Sequence, residues 1–456
     1  MGYLHSLGRT AALNRMVSSL APTARAEPYG RVVFRAALWL AFLTPFFYLT
    51  YGFANWLASR RDDVGSIVFS WEHSIPFIAW TIVPYWSINL FYGLSLLLND
   101  SRQGVDRLAG RYLTAQIVAV ACFVLFPLTA TFMRPETTGV PGFLFGVLGG
   151  FDKPFNQAPS LHIALLVIIW DHWRHRLGGL FLPLWHAWCF LIGVSVLTTW
   201  QHHFIDIPTG ALLGFFALWL FPRSGDLPFS GARLTGDAKA RRLARFYALG
   251  AVLALAGAAF GAFFSAVALV LLWPALALAI VALVYAGASA KVFQKTAEGH
   301  VSLGSRILLS PYRLGARVNI AIWTRKLPPL VAVTDGVFHG RFPTASEANS
   351  FGTVIDVAAE LEKPAGANCR WISLPMIDLL PPPVTIQQQT ASALESARRD
   401  GTVLVCCALG FQRSAGVVAE WLVATGRART PVLAREMLIA AGRPIHLAKA
   451  TERAAS

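Results

Sequence analysis

The stretch VLVCCALGFQRSAG, residues 403–416, decides the fold of the C-terminal part of the chain. Its first three residues are apolar and mostly β-branched, which is typical of a buried strand, and the residues from Ala415 onward have the apolar spacing of a helix. The loop between them opens at a helix N-terminus, where free backbone N–H groups can bind an anion. This order predicts a phosphate-binding loop in an α/β domain.

Four residues of this loop fit the chemistry of phosphate esters. Gly410 permits the backbone angles that turn successive N–H groups inward, and Arg413 offers a planar fork to two phosphate oxygens. Cys407 lies at the base of the loop, where the positive field is expected to ionise its thiol at neutral pH and make it a nucleophile. Ser414 can stabilise the thiolate when it leaves. A bare Cys-x5-Arg spacing arises by chance, so the prediction depends on the whole pattern.

The nucleophile also requires an acid that protonates the leaving alcohol. Asp378 is the candidate, because it lies in WISLPMIDLLPPP, where a strand-like run meets three prolines and a loop is expected. Asp356, in the earlier segment FGTVIDVAAELE, is predicted to be structural. The sequence contains no set of paired carboxylates or ligands with metal spacing, so neither a metal nor another cofactor is predicted.

The order Cys-x2-Gly-x2-Arg-Ser resembles the signature of the dual-specificity branch of the cysteine-dependent phosphatases. The resemblance implies an α/β phosphatase domain over residues 328–456, with Cys407 as nucleophile, Asp378 as acid, and Gly410 and Arg413 on the phosphate. The family usually has a histidine before the nucleophile, whereas this chain has Cys406. A redox link between the two neighbouring cysteines is therefore conceivable, although vicinal cysteines are strained partners.

The rest of the chain has the composition of a membrane protein. Only 14% of the 456 residues are charged, whereas 55% are hydrophobic. The run 246–290 is about twice the length of one span, so it predicts two helices that turn near 261–264. Together with six further apolar runs, this predicts a polytopic α-helical membrane domain of about eight transmembrane helices. The six runs are 34–56, 75–98, 112–132, 161–173, 179–199 and 204–221.

The basic residues indicate the topology and the partners. They concentrate in alternate loops, and the positive-inside rule then places both termini and the phosphatase domain in the cytoplasm. A net charge of +15 that is spread over these loops favours anionic lipid headgroups over nucleic acid as partners. The predicted organisation is a basic cytoplasmic N-terminus that is not a cleaved signal (1–33), a membrane domain (34–221), a basic loop with two further transmembrane helices (222–290), an amphipathic basic linker on the inner leaflet (291–327) and the phosphatase domain (328–456).

A second group of polar residues lies at the outer ends of the predicted helices, in FMRPE, NQAPSLHIA and TWQHHFIDIPTG. Ionisable groups at a membrane edge are costly, so a functional role is the default interpretation. His202 and Asp206 are four residues apart, so the carboxylate can orient the imidazole as a nucleophile toward phosphorus. Ser160 begins a helix whose free amides can hold phosphate oxygens, His162 in its first turn can serve as acid, and Arg134 adds a fixed cation.

This set resembles the type 2 phosphatidic acid phosphatase superfamily, in particular its inositolphosphotransferase and sphingolipid-synthase branch, over about residues 96–221. The resemblance implies that His202 attacks phosphorus, Asp206 orients it, His162 protonates the leaving group, and Arg134 and Ser160 bind oxygens. The first motif of simple phosphatases has a lysine seven residues before the arginine, whereas this chain has Pro127. That difference favours the transferase-like branch.

The complete chain resembles bacterial fusions of these two domains. The resemblance implies an inner-membrane enzyme with an outer His-dependent lipid phosphatase or phospho-headgroup transferase and a cytosolic Cys-dependent phosphomonoester phosphatase. The phosphate-binding loop between Cys407 and Arg413 contains no lysine, which disfavours polyphosphorylated inositol as its substrate. A monophosphorylated lipid, a glycerophosphate-type headgroup and a phosphoprotein remain as candidate substrates. Two alternatives remain open: a receptor-like phosphatase whose membrane domain only binds lipid, and a chain in which both domains only bind. The sequence does not indicate the oligomeric state.

Overall fold

The computed structural model describes residues 27–446. The chain divides into two compact units, Met1–Ala217 and Leu218–Ser456. The predicted basic N-terminus, 1–33, lies mostly outside the described residues. Both units expose large apolar side chains on their helices, and both also contain buried polar residues. This combination is typical of a protein that contacts lipid as well as water.

The first unit is helical. Helix α3 packs against α1 and α5, and α6 packs against α2 and α5. Single turns of 3-10 helix at Ser70–Ser74 and Ala79–Thr81 precede the second helix. The helices are α1 Tyr29–Ala58, α2 Ile82–Leu97, α3 Arg102–Leu125, α4 Gly139–Gly149, α5 Leu161–Arg174, α6 Phe181–Thr198 and α7 Asp206–Leu220.

Within residues 27–446, five helices are long and apolar enough to cross a membrane: Tyr29–Ala58, Arg102–Leu125, Phe181–Thr198, Ala238–Ala262 and Ala266–Ala286. Each of the eight predicted segments holds a helix, but the three that are not among these five have only 14 to 16 residues. At 1.5 Å per residue they fall short of the roughly 30 Å hydrocarbon layer. Helix α4 lies between the third and fourth predicted segments and was not among them.

The second unit begins with a hairpin of two apolar helices, α8 Ala238–Ala262 and α9 Leu272–Ala286, with a 3-10 turn at Ala266–Leu271. The chain reverses after Ala262, so the predicted turn near 261–264 is confirmed. The remaining helices are α10 Leu303–Leu308, α11 Ser310–Thr324, α12 Ala345–Ala348, α13 Val384–Ala397, α14 Arg413–Ala424 and α15 Pro431–Ala440.

A mixed sheet forms the core of this unit in the order β1-β2-β5-β3-β4. Its strands are β1 Leu330–Thr334, β2 Val337–Gly340, β3 Thr353–Ala358, β4 Arg370–Met376 and β5 Val403–Cys406. The first pair is antiparallel and the other pairs are parallel. Cys406 is in register with Gly340 on one side and Asp356 on the other, so the loop that follows lies at the carboxyl edge of the parallel strands, where α/β sheets bind ligands. The strand and helix predicted around this loop are confirmed.

Residues 291–327, for which the sequence predicts an amphipathic linker, contribute buried side chains to the sheet domain. Lys295 forms a fully buried ion pair with Asp356 of β3, and Arg313 donates to the backbone oxygen of Glu360 at 2.9 Å. The opposite side of α11 exposes Leu314, Val318 and Ile322, which recur at helical spacing. The segment is therefore amphipathic, and its buried side is part of the domain.

Candidate active sites

The loop after β5 surrounds the sulfur of Cys407. The Gly410 N–H and the Ser414 hydroxyl each donate to Sγ at 3.3 Å, and the sulfur is buried. Gly410 has a φ of +74°, and a Cβ there would lie 2.5 Å from the carbonyl carbon of Gly340. Only glycine fits this backbone, which directs its amide at the sulfur. The structure thus brings Cys407, Gly410 and Ser414 together as the sequence predicts.

Arg413 begins helix α14 and is almost completely buried. Its Nη1 donates to Glu360 Oε2 at 2.8 Å and to the backbone oxygen of Met376 at 2.9 Å, and its Nη2 donates to Glu360 Oε1 at 2.7 Å. Nη2 also lies 3.1 Å from Asp378 Oδ1. Among the described residues, the Nε–H has no acceptor, although it is buried. A buried donor without a partner is costly, so this N–H is available to a phosphate oxygen.

The pKa values of the two carboxyl groups that contact this guanidinium are shifted in opposite directions. Burial raises the pKa of Asp378, and the neighbouring Glu360 charge adds to the rise, while Arg413 opposes it. Burial also acts to raise the pKa of Glu360, but the two-point contact with Arg413 holds that pKa below its ordinary value. Glu360 is therefore the charged partner of the arginine, and Asp378 is the group suited to carry a proton.

Three further residues at this site were not predicted. Glu360 was missed, although its place two residues beyond β3 was an available signal. Arg443 donates to the backbone oxygen of Leu409 at 2.7 Å and to that of Pro329 at 3.1 Å, so it fixes the loop from behind and adds positive charge. His339 of β2 is fully buried, and burial lowers its pKa to about 4, with Arg443 contributing.

Cys406 is the last residue of β5 and is fully buried. Burial raises the pKa of its thiol, with the nearby Asp356 carboxylate adding to the rise. Asp356 in turn accepts hydrogen bonds from Lys295, from the Trp371 indole at 3.2 Å and from the Ala358 N–H at 2.8 Å. These contacts give Asp356 the structural role that the sequence indicates, and Cys406 is a packed thiol beside it.

The first unit holds a second hydrogen-bonded chain, which links Ser160, His202 and Asp206. His202 Nδ1 lies 3.1 Å from Asp206 Oδ2, and its Nε2 lies 3.2 Å from the Ser160 hydroxyl. A proton on Nδ1 satisfies the carboxylate and leaves the Nε2 lone pair to accept from Ser160 or to attack phosphorus. Gly210 permits close packing here, because a Cβ at that position would lie 2.4 Å from the backbone oxygen of Ser160.

A cavity of about 490 Å³ adjoins this chain of groups. Arg134, Lys153 and His202 are among its lining residues, so two cationic side chains and the predicted nucleophile face one space. Arg134 is held over the Phe145 ring at 4.9 Å. His162 does not line the cavity; its ring stacks on Tyr85 at 4.0 Å, and its Nε2 has no partner within the described part of the chain.

Two acidic residues beside this centre were not assigned from the sequence. Glu72 is buried and lies 3.3 Å from His203 Nδ1, while the Thr131 N–H donates to His203 Nε2 at 3.1 Å. Asp152 lines the cavity and accepts a hydrogen bond from the Tyr51 hydroxyl at 2.8 Å. Burial raises the pKa of Asp152. Glu72 lies in the 3-10 turn at Ser70–Ser74 and Asp152 in the loop after α4, and spacing along the chain gives no indication of either contact.

No protein-family description and no curated protein matches the chain. Several solved structures resemble part of it. Human DUSP28 shares 22% identity over 28% of this chain and 89% of its own, with a TM-score of 0.23. PTPMT1 in complex with PI(5)P shares 18% over 28% of this chain and 91% of its own, with a TM-score of 0.25. Tk-PTP in its active form shares 21% over 28% of this chain and 92% of its own, with a TM-score of 0.24.

Proposed function

We propose that the chain is a membrane-bound enzyme whose second unit hydrolyses phosphate monoesters on Cys407. The observation that carries the proposal is the environment of one sulfur: it accepts from the Gly410 N–H and the Ser414 hydroxyl, each at 3.3 Å, in a loop closed by Arg413. Donors around a thiolate stabilise its charge and keep it reactive, and the same inward N–H groups suit the oxygens of a phosphate.

The reaction follows from the positions of these groups. The Cys407 thiolate attacks phosphorus, the bond from phosphorus to the ester oxygen breaks, and protonated Asp378 gives its proton to the departing alcohol. Water then attacks the phosphocysteine, Asp378 takes a proton from that water, and the phosphorus–sulfur bond breaks. Ser414 stabilises the released thiolate, and inorganic phosphate leaves.

We also propose a second centre in the first unit, where His202 forms a phosphohistidine and passes the phosphoryl or phospho-headgroup to water or to an acceptor alcohol. The hydrogen-bonded chain from Ser160 through His202 to Asp206, beside a cavity with two cations, supports this role. His162 is proposed as the acid from its position in the sequence pattern alone, because its ring stacks on Tyr85 and does not line the cavity. We propose, from the distribution of basic loops in the sequence, that this centre faces away from the cytoplasm and that the Cys407 centre faces it. The bacterial inner membrane is what the resemblance to the fused enzymes implies.

The test uses the full-length protein in phospholipid vesicles and measures phosphate release and lipid products. Wild type should release phosphate from a soluble aryl phosphate in a Cys407-dependent way, and Cys407→Ser should abolish this release. Lipid products that disappear in His202→Ala, but not in Cys407→Ser, would assign the second centre. Retained aryl phosphate turnover in Cys407→Ser would contradict the nucleophile, and unchanged lipid products in His202→Ala would favour a membrane domain that only binds lipid.

A further inference from the structure

The backbone that carries the proposed acid is held by a residue of the apolar hairpin. Tyr285 lies in the last turn of α9 and donates its hydroxyl to the backbone oxygen of Asp378 at 3.2 Å. Only 2% of Tyr285 is exposed. We call the loop that carries Asp378 the acid loop. Its next residue, Leu379, has a φ of +61°, which L residues rarely adopt unless their surroundings impose it. The hydrogen bond from Tyr285 holds the peptide group that joins Asp378 to this residue.

Tyr285 packs on Tyr247, which in turn contacts Tyr312, and we call these three residues the tyrosine wall. The Tyr285 ring is stacked on Tyr247 of α8, with centroids 5.2 Å apart and planes 2° from parallel. Tyr312 of α11 meets Tyr247 edge-on at 5.9 Å. Such ring pairs favour one arrangement over its alternatives, so the hydroxyl that reaches the acid loop is preorganised.

Two members of the tyrosine wall belong to helices that can cross a membrane, Ala238–Ala262 and Ala266–Ala286. The first turn of α8 also carries exposed basic side chains. Lys239 is close enough to Asp378 to act electrostatically on its carboxyl group, and Arg241 and Arg242 follow it on the surface. A basic turn where a membrane helix begins attracts anionic lipid headgroups. The acid loop therefore lies beside the part of the second unit that meets a lipid surface.

We propose that Tyr285 is a positioning residue for the general acid, and that this contact with the hairpin adapts the Cys407 centre to phospholipid monoesters, whose alcohol remains in the bilayer while the phosphate enters the loop. The inference rests on the proposed phosphatase function of that centre. An alkyl phosphate has a poor leaving group and needs the acid, whereas p-nitrophenolate leaves without a proton. Loss of the Tyr285 hydroxyl should therefore affect the two kinds of ester unequally.

The experiment uses the full chain in phosphatidylcholine vesicles, in a His202→Ala background so that the first unit contributes no turnover. Three substrates are compared: phosphatidic acid in the vesicle, soluble glycerol 3-phosphate and soluble p-nitrophenyl phosphate. Tyr285→Phe should lower kcat for phosphatidic acid about 5-fold, the effect expected of one lost hydrogen bond, and change p-nitrophenyl phosphate turnover less than about 2-fold. The alkaline limb of the pH profile for phosphatidic acid should move as well.

Trp273→Phe is the matched control. Trp273 of the same helix also donates to a backbone oxygen, that of Ile307 at 3.0 Å, and its loss should leave the ratio of lipid to aryl turnover unchanged. Tyr285→Leu provides a second variant, in which the selective loss should be at least as large. Aryl turnover reports in each variant whether the phosphate loop is folded.

The outcomes separate the two claims. If wild type shows no Cys407-dependent turnover of p-nitrophenyl phosphate, the proposed function is wrong and the inference is wrong with it. A second outcome is that wild type turns over p-nitrophenyl phosphate in a Cys407-dependent way while both Tyr285 variants keep the wild-type ratio of lipid to aryl turnover. The positioning role alone is then wrong, whether the two rates stay unchanged or fall in proportion. Equal kcat/KM for phosphatidic acid and glycerol 3-phosphate in wild type would overturn the proposed adaptation to lipid.

Discussion

Arg413 and Glu360 form a buried two-point ion pair, with Nη1–Oε2 at 2.8 Å and Nη2–Oε1 at 2.7 Å. The pair fixes the plane of the guanidinium and leaves its Nε–H without a partner among the described residues. An arginine that is oriented before the substrate arrives loses little side-chain entropy on binding. The glutamate is therefore expected to matter for phosphate binding as well as for stability.

We predict that Glu360→Gln lowers the free energy of unfolding by about 3 kcal/mol, because it leaves a buried guanidinium without its counter-charge. The same change should raise KM for a phosphate ester more than it lowers kcat. Chemical denaturation in detergent and steady-state kinetics measure the two effects. The control is Glu347→Gln, which breaks a partly exposed pair with Arg341 and should cost at most about 1 kcal/mol. Equal effects of the two changes would contradict the role of Glu360.

Neighbouring cysteines offer a matched pair of variants. Cys407→Ser should lower p-nitrophenyl phosphate turnover by about 10³-fold or more, because an alcohol does not ionise at neutral pH. Cys406→Ser should retain most of the activity, since that side chain is packed in the sheet and burial raises its thiol pKa. Mass spectrometry of protein quenched during turnover should locate the phosphoryl group on Cys407. A label on Cys406 would reverse the assignment.

The pH dependence of the Cys407 centre follows from Asp378. Burial raises the pKa of this carboxyl, so its proton should persist above the usual range of an aspartic acid, and the rate with an alkyl phosphate should fall only when the pH passes that raised pKa. Asp378→Asn should remove this alkaline limb and lower the alkyl phosphate rate by about 10²-fold or more. An aryl phosphate rate that falls equally would argue against an acid role.

The first unit can be tested through Asp206. Asp206→Asn should lower the His202-dependent lipid turnover by about 10²- to 10⁴-fold, because the amide no longer favours the tautomer that leaves Nε2 unprotonated. His203→Gln is the neighbouring control, since His203 is hydrogen-bonded to Glu72 and Thr131. Lipid products separated after a fixed time give the measurement. A larger loss of lipid turnover in His203→Gln than in Asp206→Asn would assign the nucleophilic role to His203 in place of His202.

His339 should make the second unit sensitive to acid. Burial lowers its pKa to about 4, whereas a histidine in the unfolded chain titrates near 6.5. The unfolded state therefore binds the proton more readily, and stability should be lost as the pH falls from about 6.5 through about 4. His339→Phe should flatten this part of the curve of melting temperature against pH. A variant curve parallel to that of wild type would exclude His339 as the cause.

Local sequence indicated the features that depend on neighbours along the chain. The strand that ends at Cys406, the glycine turn at Gly410 and the pairing of His202 with Asp206 all arise within a few residues, and the spacing shows them. Apolar runs located the helices in the same way. Run length did not show where a helix ends, because residues 126–132 are apolar but lie beyond α3.

Contacts between distant segments could not be predicted. Glu360 reaches Arg413 across 53 positions of sequence, and Tyr285 reaches Asp378 across 93. The local sequence of these segments does not predict such contacts, because the contacts result from the order of the strands and the path of the hairpin. The same reason explains why the carboxylates Glu72 and Asp152 were not assigned to the His202 centre.

The ion pair of Lys295 with Asp356 has a practical consequence for protein engineering. A recombinant fragment that started at residue 328, where the phosphatase motif suggests a boundary, would leave the Asp356 carboxylate inside the sheet with no opposite charge. Such a fragment is expected to be insoluble or inactive because of this unpaired buried charge, whatever the activity of the intact domain. Expression designs should therefore retain Lys295, and a swap of this catalytic module into another membrane anchor should place the junction before that lysine.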